Sequence, residues 1–321
     1  MNKLKNITFI TLVLISGLIY SCHNKVKKDN QETVKEFPIY FGDPFILLHE
    51  NTYYAYGTSS SDGIEVYTSD DLLIWEKQPE LALHKDNSWG ERWFWAPEIF
   101  FVNGIFYMYY SADEHICVAT SDSPTGPFIQ DEKKQMIEDE KCIDTSLFID
   151  DDGIPYLYFD RFNDGLNIWV AELEKDLKTI KIPTLTKCIN VSQQWETVWP
   201  RVNEGAFVTK HKGIYYLTYS ANSYESQFYG VGCATATSPM GPWTKYDHNP
   251  IFQKPNNLVG VGHSANFRDK DGNLRITFHA HYDTEKIHPR IMYISDVQFT
   301  DDEVPVMKIG CEIIKPGRVE K

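Results

Sequence analysis

Five short runs alternate aromatic or bulky residues with smaller or polar ones: YYAYG (53–57), FYMYYS (106–111), YLYFD (156–160), YYLTYS (215–220) and LRITFHA (274–280). Each is preceded by an apolar run and a turn, most often built on Asn-Gly, Asp-Gly or Lys-Gly, and is followed by a third run. In two units the third run ends in a related turn, TSDSPTGPF and TATSPMGPW. A period of two with glycine-bearing turns predicts β-hairpins, and no stretch shows sustained helical periodicity. The unit recurs at roughly 45–60 residues, close to the size of a propeller blade. One such sheet cannot bury both of its faces, whereas five arranged radially can. The pattern therefore predicts an all-β chain, a single five-bladed β-propeller over residues 37–321. A decorated β-sandwich would not account for the same three-strand grammar recurring five times.

The first 36 residues fall outside this pattern. Lys3 and Lys5 precede an apolar segment that ends at LIYSC, which has the three-part plan of a secretory signal and resembles a bacterial lipobox. The expectation is a lipoprotein signal peptide over 1–21, lipidation at Cys22, and a polar tether over 22–36. The protein would then be an exported bacterial lipoprotein held at a membrane, facing the periplasm or the cell surface. Five further cysteines form no CxxC pair, so a zinc knuckle is not expected, and free buried thiols are favoured over disulfides. Aromatic residues make up 14% of the chain and the formal charge is −14 with no basic stripe, which argues against nucleic acid. An acidic, aromatic-rich surface suits a neutral ligand such as a sugar. A monomer is expected.

The starts of the five units carry Asp43, Glu98, Asp144, Glu204 and His263. First strands of propeller blades line the central channel, so these groups are expected at equivalent positions converging on one volume. Burying several acids together raises some of their pKa values, which marks a functional candidate. Carboxylates facing each other across an aromatic-rimmed pocket suggest glycoside hydrolysis, in which one acid protonates the leaving oxygen and one base activates water.

Motifs in each unit resemble those of glycoside hydrolase family 43, five-bladed propeller enzymes acting on arabinose- and xylose-containing glycans. They are GDPF, WAPEIF, CIDTSLFIDDDGIPYLYF, NEGAFVTKHKGIYYLTYS and GVGHSANFRDKDGNLRITFHAH, in that order along the chain. The resemblance implies Asp43 as general base, Glu204 as general acid and Asp144 as the group that tunes and holds the acid. It implies inversion of the anomeric centre, with base and acid about 6.5–9.5 Å apart. It places His263 beside one calcium ion in the channel, whose shell water would complete; no organic cofactor is expected. Trp95 would stack on the sugar and Arg290 would bind it by charge and hydrogen bonds. Glu98 is expected to be structural or substrate-positioning rather than catalytic, and is grouped with the substrate-binding residues. The chain departs from the family in having Gly42 where Ala often precedes the first Asp, and Ala206 where Pro often follows the fourth-unit Glu-Gly. The expected activity is that of an α-L-arabinofuranosidase, with β-xylosidase and endo-arabinanase as alternatives on the same fold. A lipid-anchored propeller that only binds glycan is the alternative of another class.

Overall fold

A computed structural model describes residues 36–198, 201–302 and 305–319. The expected signal segment, Cys22 and the tether up to residue 35 lie outside the described residues. The described residues contain strands and short 3-10 turns and no α-helix. The strands form five sheets in sequence order, arranged as a β-propeller. The inner strands are Gly42–His49, Trp95–Val102, Cys142–Ile149, Asn203–His211 and Gly262–Arg268. Each lies against the next, and the fifth lies against the first. The aromatic runs form the middle strands, Thr52–Thr58, Ile105–Ala112, Pro155–Phe162, Ile214–Ala221 and Leu274–Ala280. A third strand follows each of them by antiparallel pairing.

Alternation explains why these runs hold the fold together. Their aromatic residues fill the gaps between neighbouring sheets. Tyr56 and Met108 share a buried cluster between the first two sheets. Tyr158, Leu217 and Tyr219 share another between the third and fourth, and Tyr216 and Phe278 another between the fourth and fifth. Fully burying a side chain of this class stabilises by about 1.5–3 kcal/mol, so closure of the ring carries much of the fold's stability. Both ends of the described chain join the first sheet. Glu36–Pro38 pairs antiparallel with Gly317–Val319, which runs parallel to Ile74–Lys77.

One irregularity recurs in all five inner strands. Register pairs Gly42 with Thr58 and Phe45 with Tyr56, so the inner strand advances three residues while its partner advances two. The same extra residue follows Trp95, Ile143, Glu204 and Gly262. The bulged residue is Asp43, Ala96, Asp144, Gly205 or His263, each with φ between +45° and +61°. Each bulge also ties its sheet to the one before it. The N–H of Ala96 donates to Thr58 Oγ1, Asp144 to Ser111 Oγ, Gly205 to Asp160 Oδ2, and His263 to Ser220 Oγ. Asp43 N–H donates to His279 Nδ1 of the fifth sheet, closing the circle.

This register corrects the expected equivalence of the five unit starts. Asp43, Asp144 and His263 are equivalent, but Glu204 stands one position earlier, level with Trp95. Glu98 stands two positions later than Ala96, level with Phe45, Ser146, Phe207 and Ala265. Matching the units by their acids, rather than by position along each inner strand, is what misplaced Glu98 and Glu204.

Candidate active site

The bulges place their side chains at one end of the channel, around a pocket of about 250 Å³. Asp43, Asp144, Glu204 and His263 line it, with Trp95, Thr58, Tyr224, His288 and Arg290 among the remaining walls. A larger recess of about 650 Å³ opens at the opposite end of the inner strands, but Phe45, Phe101, Leu147, Phe148 and Phe207 give it apolar walls. The convergent polar groups are in the smaller pocket, and that is where chemistry belongs.

Asp43 is held from several sides. Arg290 donates from Nη1 to Oδ1 at 2.6 Å and from Nη2 to Oδ2 at 2.9 Å, a two-pronged charge-assisted pair. Thr58 Oγ1 donates to Oδ2 at 2.7 Å, and His263 Nδ1 lies 3.3 Å from Oδ1. Burial alone would push this carboxyl up. The Arg290 guanidinium, then His263 and His279, outweigh it and hold Asp43 far below the usual carboxylate range. Arg290 was expected to serve the sugar; it lines the pocket, yet its guanidinium is first of all the counter-ion of Asp43 and lies over the Tyr224 ring. Gly42 makes this approach possible, since a methyl group there would lie 2.0 Å from Arg290 Nη2. The departure from alanine at position 42 thus has a steric cause.

Glu204 has the opposite environment. Burial raises its pKa, the Tyr229 hydroxyl that donates to Oε1 at 2.6 Å partly offsets this, and the Asp43 charge raises it again, to about 7. Tyr229 stacks on His279, ring centroids 5.6 Å apart, and Gly262 leaves room for its ring. Asp144 is pushed well above its ordinary value by burial and by the charges of Glu204 and Asp43. One pocket therefore holds a carboxylate kept ionised and a carboxyl kept protonated up to neutral pH, the separation that acid–base catalysis by two acids requires.

His263 is half-buried between Asp43 and Asp144, with Nδ1 3.3 Å from Asp43 Oδ1 and 3.9 Å from Asp144 Oδ2, and desolvation lowers its pKa. Among the described residues no group of three or more His, Cys, Asp or Glu could hold an ion by itself. His263 would be the one protein ligand of the expected calcium ion, with water oxygens supplying the rest of its shell. Trp95 lines the pocket and stacks on Trp93, centroids 5.6 Å apart and 21° between planes. Glu98 does not line the pocket. It is buried lower on its strand, where burial raises its carboxyl well above the ordinary range and Ser146 is its hydrogen-bonding partner. Of its two expected roles, this position agrees with the structural one and not with substrate positioning, since Trp95 rather than Glu98 lines the pocket. Free buried thiols are found at Cys117, Cys142 and Cys233.

A model of glycosyl hydrolases family 43 matches residues 38–305. The chain belongs to glycoside hydrolase family 43. It is a glycosidase, hydrolysing glycosidic bonds. Among solved structures, this family 43 chain is similar to an endo-1,4-β-xylanase from Bacteroides thetaiotaomicron, with TM-score 0.85, 46% identity, and coverage of 90% of this chain and 100% of that one. A thermostable family 43 glycoside hydrolase matches with TM-score 0.78 and 37% identity, covering 88% and 95%. Among curated proteins, a β-D-galactofuranosidase of Aspergillus niger is 27% identical over 83% of this chain and 81% of its own length. A xylosidase/arabinosidase of Butyrivibrio fibrisolvens is 30% identical over 72% of this chain, which spans only 46% of that longer protein.

Several residues of the family 43 pocket were not read from the sequence: Thr58, Tyr224, Tyr229, His279 and His288. Thr58 and His279 had a signal, since both occupy the same place at the end of an aromatic middle strand. Tyr224, Tyr229 and His288 come from loops between strands, where no period marks them.

Proposed function

We propose that the protein is an inverting exo-glycosidase with a five-bladed propeller, each sheet being one blade, that removes a terminal pentose from arabinose- or xylose-containing plant polysaccharide. α-L-Arabinofuranose is the first choice of sugar. The observation that carries this reading is the pairing of an ionised Asp43 with a protonated Glu204 in one small pocket. In the proposed reaction Trp95 stacks on the sugar face. Asp43 takes a proton from water as the water's oxygen bonds to the anomeric carbon. Glu204 gives its proton to the departing oxygen as the glycosidic bond breaks. Asp144, in the same pocket, is the third carboxyl and holds the acid in place, while burial and the Asp43 charge favour the acid's protonated form. With the incoming water on the face opposite the leaving group, the product has inverted configuration.

The small pocket favours release of single residues over cleavage within a chain. A second reading, attack on xylan itself, has support in the similarity to the endo-1,4-β-xylanase. Aryl and alkyl α-L-arabinofuranosides, β-D-xylosides and β-D-galactofuranosides, with arabinan, arabinoxylan and xylan, separate these readings when Glu204→Gln serves as the inactive control. Proton NMR of the first-formed sugar reads the stereochemistry, and a retained anomer would overturn the mechanism. Binding without turnover would point to a glycan-binding propeller. The lipobox-like LIYSC supports export and anchoring through Cys22, which palmitate labelling of wild type against Cys22→Ala would test.

A further inference from the structure

Tyr229 comes from a loop, and a loop side chain meets a strand carboxyl at 2.6 Å only if something fixes the loop. Asn222 supplies that fixed point. It directly follows the middle strand Ile214–Ala221, it is completely buried, and its φ of +71° lies in the left-handed region that asparagine tolerates. Its side chain bonds only to loop backbone. Nδ2 donates to Phe228 O and to Trp195 O, each at 2.9 Å, and Oδ1 accepts from Val198 N–H at 2.9 Å. These three bonds fix the amide's orientation, since a flipped amide would set its oxygen against a carbonyl and its nitrogen against an N–H. Phe228 is the residue before Tyr229, so one buried amide ties the loop of Tyr229 to the segment 195–198.

The far end of this tie is itself held. Glu196, next to Trp195 in the 3-10 turn Gln194–Glu196, is completely buried. Its Oε2 accepts from the N–H groups of Ser192 and Gln193 at 2.7 and 2.9 Å, and its Oε1 accepts from the Tyr219 hydroxyl at 2.7 Å and pairs with Lys245. Lys245 Nζ also donates to Asn203 Oδ1 at 2.8 Å, and Asn203 is the residue before Glu204. The residues before both partners of the Tyr229–Glu204 bond are therefore tied to one buried frame, Phe228 through Asn222 and Asn203 through Lys245. We propose that Asn222 is a positioning residue for the acid: it clamps the loop of Tyr229 to the 195–198 segment so that the Tyr229 hydroxyl reaches Glu204 and aims its carboxyl. The proposal rests on the glycosidase reading given above.

Asn222→Gly keeps the left-handed backbone, which glycine adopts without strain, and removes all three bonds. Phe228 O keeps a bond from Gln253 Nε2 at 2.7 Å, so the loop stays attached and the variant should fold. Without the clamp the Tyr229 hydroxyl leaves Glu204 and the acid loses its aim. Alkyl glycosides, whose leaving oxygen needs the proton, should lose about tenfold or more in kcat with KM within about threefold. Activated aryl glycosides, which leave without the proton, should stay within about threefold, whereas a general loosening of the fold would slow both classes alike. Tyr229→Phe should show the same selectivity, and the two changes combined should be far less than additive, because they remove one contact. Equal losses on both classes of glycoside, or full additivity, would overturn the proposal. Should Asn222→Gly not fold, Asn222→Asp keeps the side-chain shape and the acceptor for Val198 N–H but loses both donated bonds. It should show the same selective loss, and an unselective one would overturn the proposal. Crystal structures of wild type and the folded variant test the clamp without substrate. The Tyr229 hydroxyl should stand beyond hydrogen-bond reach of Glu204 in the variant, and a retained bond would overturn the proposal. If wild type cleaves none of the glycosides, the reading of the pocket fails, and the crystallographic comparison alone upholds or overturns the link from Asn222 to Tyr229.

Discussion

Tyr229→Phe isolates one hydrogen bond to the proposed acid. The Tyr229 hydroxyl donates to Glu204 Oε1 at 2.6 Å and favours the ionised form of that carboxyl. Phenylalanine retains the ring, its stack on His279 and its burial, so only the hydroxyl is removed. A hydrogen bond to a charged acceptor is worth about 1.5–3 kcal/mol and one to a neutral acceptor about 0.5–1.5 kcal/mol. Its loss therefore disfavours ionisation by about 1–1.5 kcal/mol, which corresponds to about one pH unit. The descending limb of kcat/KM, expected near the Glu204 value of about 7, should move up to about 8. The substrate must have a poor leaving group, such as an alkyl glycoside or a natural oligosaccharide, because activated aryl glycosides leave without needing the proton. Glu204→Gln, which has no proton to lose, should abolish the limb. A limb that stays at its wild-type position in Tyr229→Phe, or moves down, would show that Glu204 is not the titrating acid.

Glu204→Gln should lower turnover of such substrates by about 10²–10⁴-fold. It should also change stability in a pH-dependent way. A carboxyl raised from 4.5 to about 7 on folding binds its proton more tightly in the native state, so native stability falls as pH rises through that window. Glutamine removes the effect, and urea unfolding should find the variant more stable than wild type at about pH 8, by at most on the order of 3 kcal/mol. Equal stabilities at pH 5 and pH 8, each variant against wild type, would contradict the assignment. Arg290→Met leaves Asp43 buried without its counter-ion, which should cost about 3–5 kcal/mol in denaturant unfolding and move the ascending limb to higher pH. Adding Asp43→Asn should restore most of the stability and none of the activity; no recovery would show that Arg290 stabilises through other contacts. Trp95→Ala should raise KM by about tenfold, the loss of a stacking face worth about 1.4 kcal/mol, with a smaller change in kcat.

The fold was legible because a single period carries it. Five aromatic middle strands with hairpin turns predict five sheets, and neighbouring sheets then have to cover one another. The acids were legible for a related reason: Asp43, Asp144 and Glu204 stand at the starts of inner strands, which the ring brings together. What failed was the register within those starts. Glu98 reads as the partner of Asp43 when the acids near the unit starts are matched by type, but register puts Glu98 level with Phe45 and leaves Trp95 and Ala96 at the pocket end. A bulge depends on backbone dihedrals, and no side-chain period marks it. Arg290 was found as a pocket residue, but its partner was not, because Asp43 and Arg290 stand 247 positions apart and only ring closure joins them. Tyr229 lies just ahead of an outer strand, and nothing in its local sequence sets it apart from the chain's other tyrosines.

The bulges show how the fold and the site are related. Asp43, Asp144 and His263 have φ of +49°, +59° and +47°, in the left-handed region where a residue with a side chain is strained by about 1–3 kcal/mol. It would be natural to attribute that strain to catalysis. Ala96 argues against this, since it has φ of +45° at the equivalent position with no chemical group to present. Gly205, at +61°, takes the same conformation without strain. The left-handed residue is therefore a requirement of joining each sheet to the one before it, through the N–H that the bulge turns sideways. Chemistry then occupies places the architecture had already made rigid. A carboxylate on such a residue has a backbone fixed by the bulge on one side and by a latch from the preceding sheet on the other. This preorganisation explains why two acids only a few residues from their turns can be kept in opposite protonation states within one pocket of about 250 Å³.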